Sequence, residues 1–447
     1  MKQNNWLRTC VSLVMLFFAF AVSGCGKATP ARLLGGFPWL NRSYSHAVRA
    51  HEAAERGDYD KAIELCSKAI RSNSGYAYAY GLRASCNRRK GHTDLALSDC
   101  STAILLDPRD FHSYSLRARI FSERGDNDMA ISDCDSAIDI APRDDYAYGL
   151  RAACYRKKKE YDRALDDCTR ALEITPDNAY VYGLRGSCFA EKGEIEKAFA
   201  DCDKAIQLDP QISHAYALRG RIYSRRGDFT NTLSDCEMAI QLAPEDPCPY
   251  ALRGWVYSKQ GRDDMAIEEL TRAIERGSDS GEYYLWRANA NLRAKRLNAA
   301  LADSEQANRL GAEAPYYDLL TASIFEAMDR AGDAVAIYDR YLLASPNSAE
   351  VLNAKAYTLC TTSNVLYRNG KEALDLAQRA LKLCPDHPPY IVDTLACAYA
   401  ELGQFEKAVA LQEGVVDSLG DCEDVKEHLA AFKAGKPWTE KKVLSVD

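Results

Sequence analysis

The stretch Ala77–Asp110, AYAYGLRASCNRRKGHTDLALSDCSTAILLDPRD, decides the fold because the chain repeats it. Adding 34 to Tyr80, Arg83, Ala84, Gly91, Ala96, Cys100, Ala103 and Pro108 gives Tyr114, Arg117, Ala118, Gly125, Ala130, Cys134, Ala137 and Pro142. A further 34 gives Tyr148, Arg151, Ala152, Ala164, Cys168, Ala171 and Pro176, with Lys159 where the glycine would stand. A strict period of this length marks stacked supersecondary units that share one continuous core. Each unit reads as two helices. The first carries Tyr80, Ala84 and Asn87; the second carries Ala96, Leu97, Cys100, Ala103 and Ile104, a one-face helical stripe. Gly91 suits the left-handed residue that ends a helix, and Pro108 stops the next one. The alanines at 84, 96 and 103 let helix axes approach closely, where larger side chains would overpack the contact.

Outward from this stretch, residues 43–348 divide into nine units without insertion. Residues 349–421 hold two more, the first with five extra residues near Thr361–Asn369. Val425, Leu429 and Phe432 form a last apolar stripe, read as a helix that caps the array within 422–447. Residues 25–42, with Pro30, Gly35, Gly36 and Pro38, read as an extended tether.

The repeated positions resemble the tetratricopeptide repeat, whose pattern is aromatic, Leu, Gly, Tyr, Ala, aromatic, Ala, Pro over 34 residues. The resemblance implies an all-α fold: a right-handed α-solenoid, or superhelix, of about eleven helix-turn-helix units. It also implies a scaffold that binds protein segments in a concave groove lined by the first helices. Carried over position by position, the groove would present Tyr78, Arg88, Arg119, Tyr146, Arg156, Tyr180 and Arg221, with small residues such as Gly81 and Gly149 between them. Such a lining suits an extended peptide with an acidic segment or free carboxylate. A solvated helix face with its usual share of Lys and Arg is the plainer alternative. Departures from the family pattern include arginine where leucine is common, cysteine for the second-helix aromatic, Thr232 and Tyr341 for small alanines, and Ser278 for proline.

The N-terminus carries Lys2 and Arg8, an apolar run from Val11 to Val22, then Ser23-Gly24-Cys25. That order is an export signal, and its apolar run is short for a membrane-spanning helix. Its end resembles the bacterial lipobox, which implies cleavage after residue 24, acylation of Cys25 with palmitate-type chains, and anchoring at the cell envelope. Gly26 after the cysteine favours, by the same resemblance, the outer membrane over the inner. Ordinary cleavage after Ala19-Phe20-Ala21 would instead release a soluble exported module that captures a peptide or small ligand. Loss of residues 1–24 removes two bases and no acid, moving the net charge from −7 to −9. With both signs dispersed and no basic block, nucleic acid is not an expected partner.

Cys66, Cys100, Cys134, Cys168, Cys202 and Cys236 also recur every 34 residues. Helix axes pack ~8–10 Å apart, and disulfide Cα atoms lie within ~7 Å, so this row reads as buried small hydrophobes. Disulfides within a hairpin, Cys86–Cys100, Cys154–Cys168 and Cys188–Cys202, remain an alternative in an exported protein. Sixteen residues after the repeated arginines from Arg83 to Arg287 stands an acid, Asp99, Asp133, Asp167, Asp201, Asp235, Glu269 or Asp303, whereas Arg49 in the first unit is followed by Leu65. An antiparallel hairpin would pair them. The chain has no C-x-x-C, H-E-x-x-H, G-x-S-x-G or phosphate-loop pattern, so no catalysis, cofactor or metal is expected.

Overall fold

The computed structural model describes residues 38–277, 280–311, 316–419 and 422–439. These contain 23 α-helices and no strand, from Pro38–Glu55 to Glu423–Lys433. The first 22 helices form eleven antiparallel hairpins, and within each of the two units described below each helix packs on the next in sequence. The α-solenoid architecture expected from the repeat is therefore the observed one. The chain divides after Pro210 into two compact units. The first unit holds five hairpins, ending with Ala179–Glu191 and Ile195–Leu208; the second holds six and the final helix.

The first helix starts at Pro38, so the last residues of the expected tether, 38–42, are helical. Proline is well placed there, since the first turn of a helix does not use its missing N–H. Cys25, the export signal and Ser278 lie outside the described residues.

Local chemistry explains the hairpins. Gly91 takes φ 78° between its helices, and Lys159, the substitute for glycine in the fourth hairpin, is forced to φ 62°. The repeated alanines and the second-helix cysteines from Cys66 to Cys236 are fully buried. Thr232, standing for one of those alanines, is buried because its hydroxyl donates to the Asp228 carbonyl at 2.8 Å. Tyr341 stays half-buried against the cluster around Ala322 and Tyr338.

The described cysteines, Cys66 to Cys422, are not joined in disulfides, which corrects the hairpin-disulfide alternative. Instead of facing Cys100 across its own hairpin, Cys86 joins the cluster of Cys66 in the preceding one. Cys134 pairs likewise with Cys154, and Cys168 with Cys188. A first-helix cysteine thus packs on the second helix before it rather than the one after. Burial pushes the Cys66, Cys100 and Cys236 thiols up to about 12, which keeps them protonated and inert.

The arginine and acid rows close on each other. Arg151 Nε and Nη2 donate to Asp167 Oδ2 and Oδ1 at 2.8 and 2.7 Å. The same bidentate fork joins Arg83–Asp99, Arg117–Asp133, Arg185–Asp201, Arg219–Asp235 and Arg287–Asp303. Arg253 places both nitrogens on one oxygen of Glu269. Each guanidinium also lies over the tyrosine three residues earlier, as Arg185 does over Tyr182 at 5.3 Å. Burial raises the Asp167 carboxyl although Arg151 opposes the shift, so the acid depends on its partner to stay ionised.

Candidate functional site

In the first unit, the first helices Ala77–Arg89, Phe111–Arg124, Asp145–Lys157 and Ala179–Glu191 lie side by side, each touching the next. Their one-turn spacing points the polar residues expected from sequence along one connected strip. Tyr78 is 41% exposed and its hydroxyl meets His51 Nδ1 at 3.1 Å. Arg88 Nη1 donates to Glu123 Oε1 at 2.9 Å, and Arg119 Nε donates to the same oxygen at 3.0 Å. Arg119 Nη1 then donates to the Tyr146 hydroxyl at 3.1 Å. Burial works against the Arg119 charge, yet the bonds to Tyr146 and Glu123 outweigh it and raise its pKa.

Tyr180 continues the strip. It is exposed, yet burial of its hydroxyl end raises the phenol while Arg156 and Arg119 oppose the shift. Arg88 Nε and Arg156 Nε are buried donors without a hydrogen-bond acceptor. Lys157 is tied down, its Nζ donating to the Ser122 carbonyl at 2.7 Å. Arg221 belongs to the second unit, on helix Ser213–Arg225, close enough to the Cys248 thiol to oppose the burial that raises it.

The second unit contains an open cavity of about 360 Å³, bordered by several polar side chains, that sequence reasoning missed. Glu326, Tyr338, Asn353, Tyr357, Asp393 and His428 border it, drawn from three hairpins and the final helix. Tyr338 donates to Glu326 Oε1 at 3.2 Å, and Thr358 donates to the same oxygen. Burial, then the Glu326 charge, raises the Tyr338 phenol. The final helix buries Val425, His428 and Phe432, whereas the expected stripe had Leu429 in place of the histidine. A histidine on the inward face of a capping helix was the sequence signal for this end of the molecule.

Tetratricopeptide-repeat models match residues 48–111 and 252–318, 146–178, and 179–212. With eleven helical hairpins in the same period, the chain is a tetratricopeptide-repeat protein. Such repeats are scaffolds for protein–protein interaction and are generally not catalytic. A tetratricopeptide repeat protein from Parabacteroides merdae is 18% identical, at TM-score 0.46 over 56% of this chain and 99% of that one. The APC/C hetero-tetramer Cut9–Hcn1 is 12% identical, at TM-score 0.49 over 88% of this chain and 96% of that one. YrrB, described as a TPR protein with an unusual peptide-binding site, is 19% identical, at TM-score 0.35 over 44% of this chain and 99% of that one. Among curated proteins none matches the chain.

Proposed function

We propose that this chain is a lipid-anchored adaptor of the bacterial cell envelope that holds extended, acidic protein segments in the groove of its first unit. One observation carries the binding mode: Arg119, Tyr146, Arg156 and Tyr180 converge from three successive first helices, with Arg156 Nε lacking an acceptor. A ligand carboxylate pairs with the Arg119 and Arg156 guanidinium groups, and the tyrosine rings give the main chain a broad apolar surface. Glu123 already draws on Arg88 and Arg119, so an incoming acid displaces or competes with it.

The test is fluorescence anisotropy with extended peptides ending in Asp or Glu, set against amidated and Lys-substituted controls. Charge reversal by Arg119→Glu with Arg156→Glu is expected to weaken binding by at least about tenfold, ~1.4 kcal/mol. Glu123→Gln is expected to tighten it. Equal affinity of all three proteins for acidic and basic peptides would sink the groove assignment. The anchor rests on the Ser23-Gly24-Cys25 sequence. Cys25→Ser is expected to move the protein from the membrane fraction to the soluble exported one, and to abolish labelling by a fatty-acid probe. A wild-type protein that is already soluble and unlabelled favours the released binding module instead.

A further inference from the structure

We propose that Asp393, Cys397 and His428 form a binding site for a zinc-class divalent transition metal at the C-terminal end of the second unit. Asp393 and Cys397 stand one turn apart on helix Pro389–Glu401, so their side chains share a face. His428 faces them from helix Glu423–Lys433. One oxygen, one sulfur and one nitrogen from these residues all lie within 4.8 Å of one another. Among the described residues, no other group of three His, Cys, Asp or Glu side chains converges in this way.

The hydrogen bonding of the cluster leads to the same conclusion. His428 Nδ1 lies 2.8 Å from Asp393 Oδ1 and 3.9 Å from Cys397 Sγ. A single ring nitrogen carries either a proton or a lone pair. Protonated, it serves the carboxylate and gives the thiol at best a shared bond. Unprotonated, it accepts from the thiol and faces the carboxylate lone pair to lone pair. A cation in place of that proton satisfies all three donors, and ligand bonds of about 2.0–2.3 Å need only a small outward shift of each. The mixed oxygen, nitrogen and sulfur set favours zinc or cobalt over magnesium or calcium.

The surroundings fit a metal centre as well. Gln412, fully buried, donates from Nε2 to Asp393 Oδ1 at 2.5 Å and to the Val425 carbonyl at 3.2 Å. It therefore orients the carboxylate, as outer-shell partners of metal ligands do. Gln412 Oε1 is buried with no hydrogen-bond partner. Cys397 and His428 are 1% and 4% exposed, and the imidazole ring packs at a tilt against Trp438, with centroids 4.7 Å apart. Asp393 and His428 both border the 360 Å³ cavity, which can supply water or an anionic group as the fourth ligand. A Cys–His–Asp hydrolytic triad is excluded, because thiol and carboxylate address the same nitrogen rather than opposite ones.

The experiment titrates the chelator-stripped full chain with Co²⁺ and then Zn²⁺ under reducing conditions. Expected are a thiolate-to-cobalt charge-transfer band that saturates stoichiometrically, and its displacement by Zn²⁺. Cys397→Ser is expected to abolish the band, His428→Gln to weaken affinity at least about tenfold, and Cys360→Ser to change neither. Circular dichroism checks that each variant stays helical. Should Cys397→Ser lose helicity, Asp393→Asn decides by the same affinity reading. No band in the wild type, or a band undiminished in a folded variant of any of the three ligands, overturns the proposal.

Discussion

The seventh position of each unit divides the molecule into two regions. From Arg83 to Arg287 it is always an arginine that reaches a carboxylate sixteen residues later in its own hairpin. In the last three hairpins it becomes Thr321, Lys355 and Thr394. Thr321 meets the Ser304 hydroxyl of the preceding hairpin at 2.5 Å, and Thr394 turns back to the Tyr390 carbonyl. Lys355, only 8% exposed, is held by Asp339 of the preceding hairpin and by Glu372 on the second helix of its own. Of these three positions, Thr321 and Lys355 each reach the preceding hairpin, whereas Thr394 bonds only within its own helix. Arg368, in the longer connection between Ala349–Thr361 and Gly370–Leu383, donates to Glu401 Oε1, to the carbonyls of Cys360 and Trp438, and to the Thr439 hydroxyl. A Cβ on Gly332 would collide with the Tyr367 ring, so that connection also lies tightly on the hairpin before it. The difference teaches that a repeated Arg–carboxylate fork closes each hairpin from Arg83 to Arg287, while the last hairpins lack that fork and lean on Arg368, which ties the long connection to Glu401 and Trp438.

Four substitutions test this contrast, beginning with the largest effect. Arg151→Met leaves Asp167 buried without its partner and is expected to cost about 3–5 kcal/mol in urea denaturation. The double variant Arg151→Met with Asp167→Leu should regain most of that loss; additive losses would mean the rung is no unit. Arg368→Ala is expected to cost about 2–4 kcal/mol by stranding Glu401 and several carbonyls. It should also expose residues 362–369 to proteolysis while the first unit stays resistant; uniform cleavage along the chain would contradict the local-versus-long-range contrast. Thr321→Val removes one hydroxyl from a buried pair and should cost about 1–2 kcal/mol. A loss as large as that of Arg151→Met would show that the threonine replaces the ion pair in full. Lys159→Gly relieves a left-handed non-glycine residue and is expected to stabilise by about 1 kcal/mol, read as a rise in the denaturation midpoint. No rise would mean that unfolded-state entropy cancels the strain.

What could be read from sequence follows the same division. The hairpins, the buried cysteine row and the Arg–carboxylate forks recur at fixed spacing, so one unit reveals them all. The groove residues could be named, since Tyr78, Tyr146 and Tyr180 occupy one repeat position, but Glu123 as the acid between Arg88 and Arg119 could not. Its importance depends on two helices standing side by side. The Asp393–Cys397–His428 convergence was hidden for a related reason. Its members sit in an imperfect unit and a helix outside the repeat, where no period tells the reader what faces what. The cysteines were assigned correctly as buried, while their neighbours were not. Each first helix lies between two second helices, and spacing alone did not say which one Cys86 would touch.

The self-contained rungs also bear on how such a chain grows. Because the Arg151–Asp167 fork lies inside one hairpin, a duplicated or deleted 34-residue segment carries that fork with it, and only the further Arg151–Asp135 bond crosses to the preceding hairpin. Gene-level copying of those units is therefore structurally cheap. Arg368, by contrast, draws Glu401, Trp438 and Thr439 from later segments and Lys355 draws Asp339 from the one before, and a copy inserted among them would arrive with bonds it cannot make. The end of the array is thus the part that copying must leave alone, and the regular hairpins before it are where length can change between descendants.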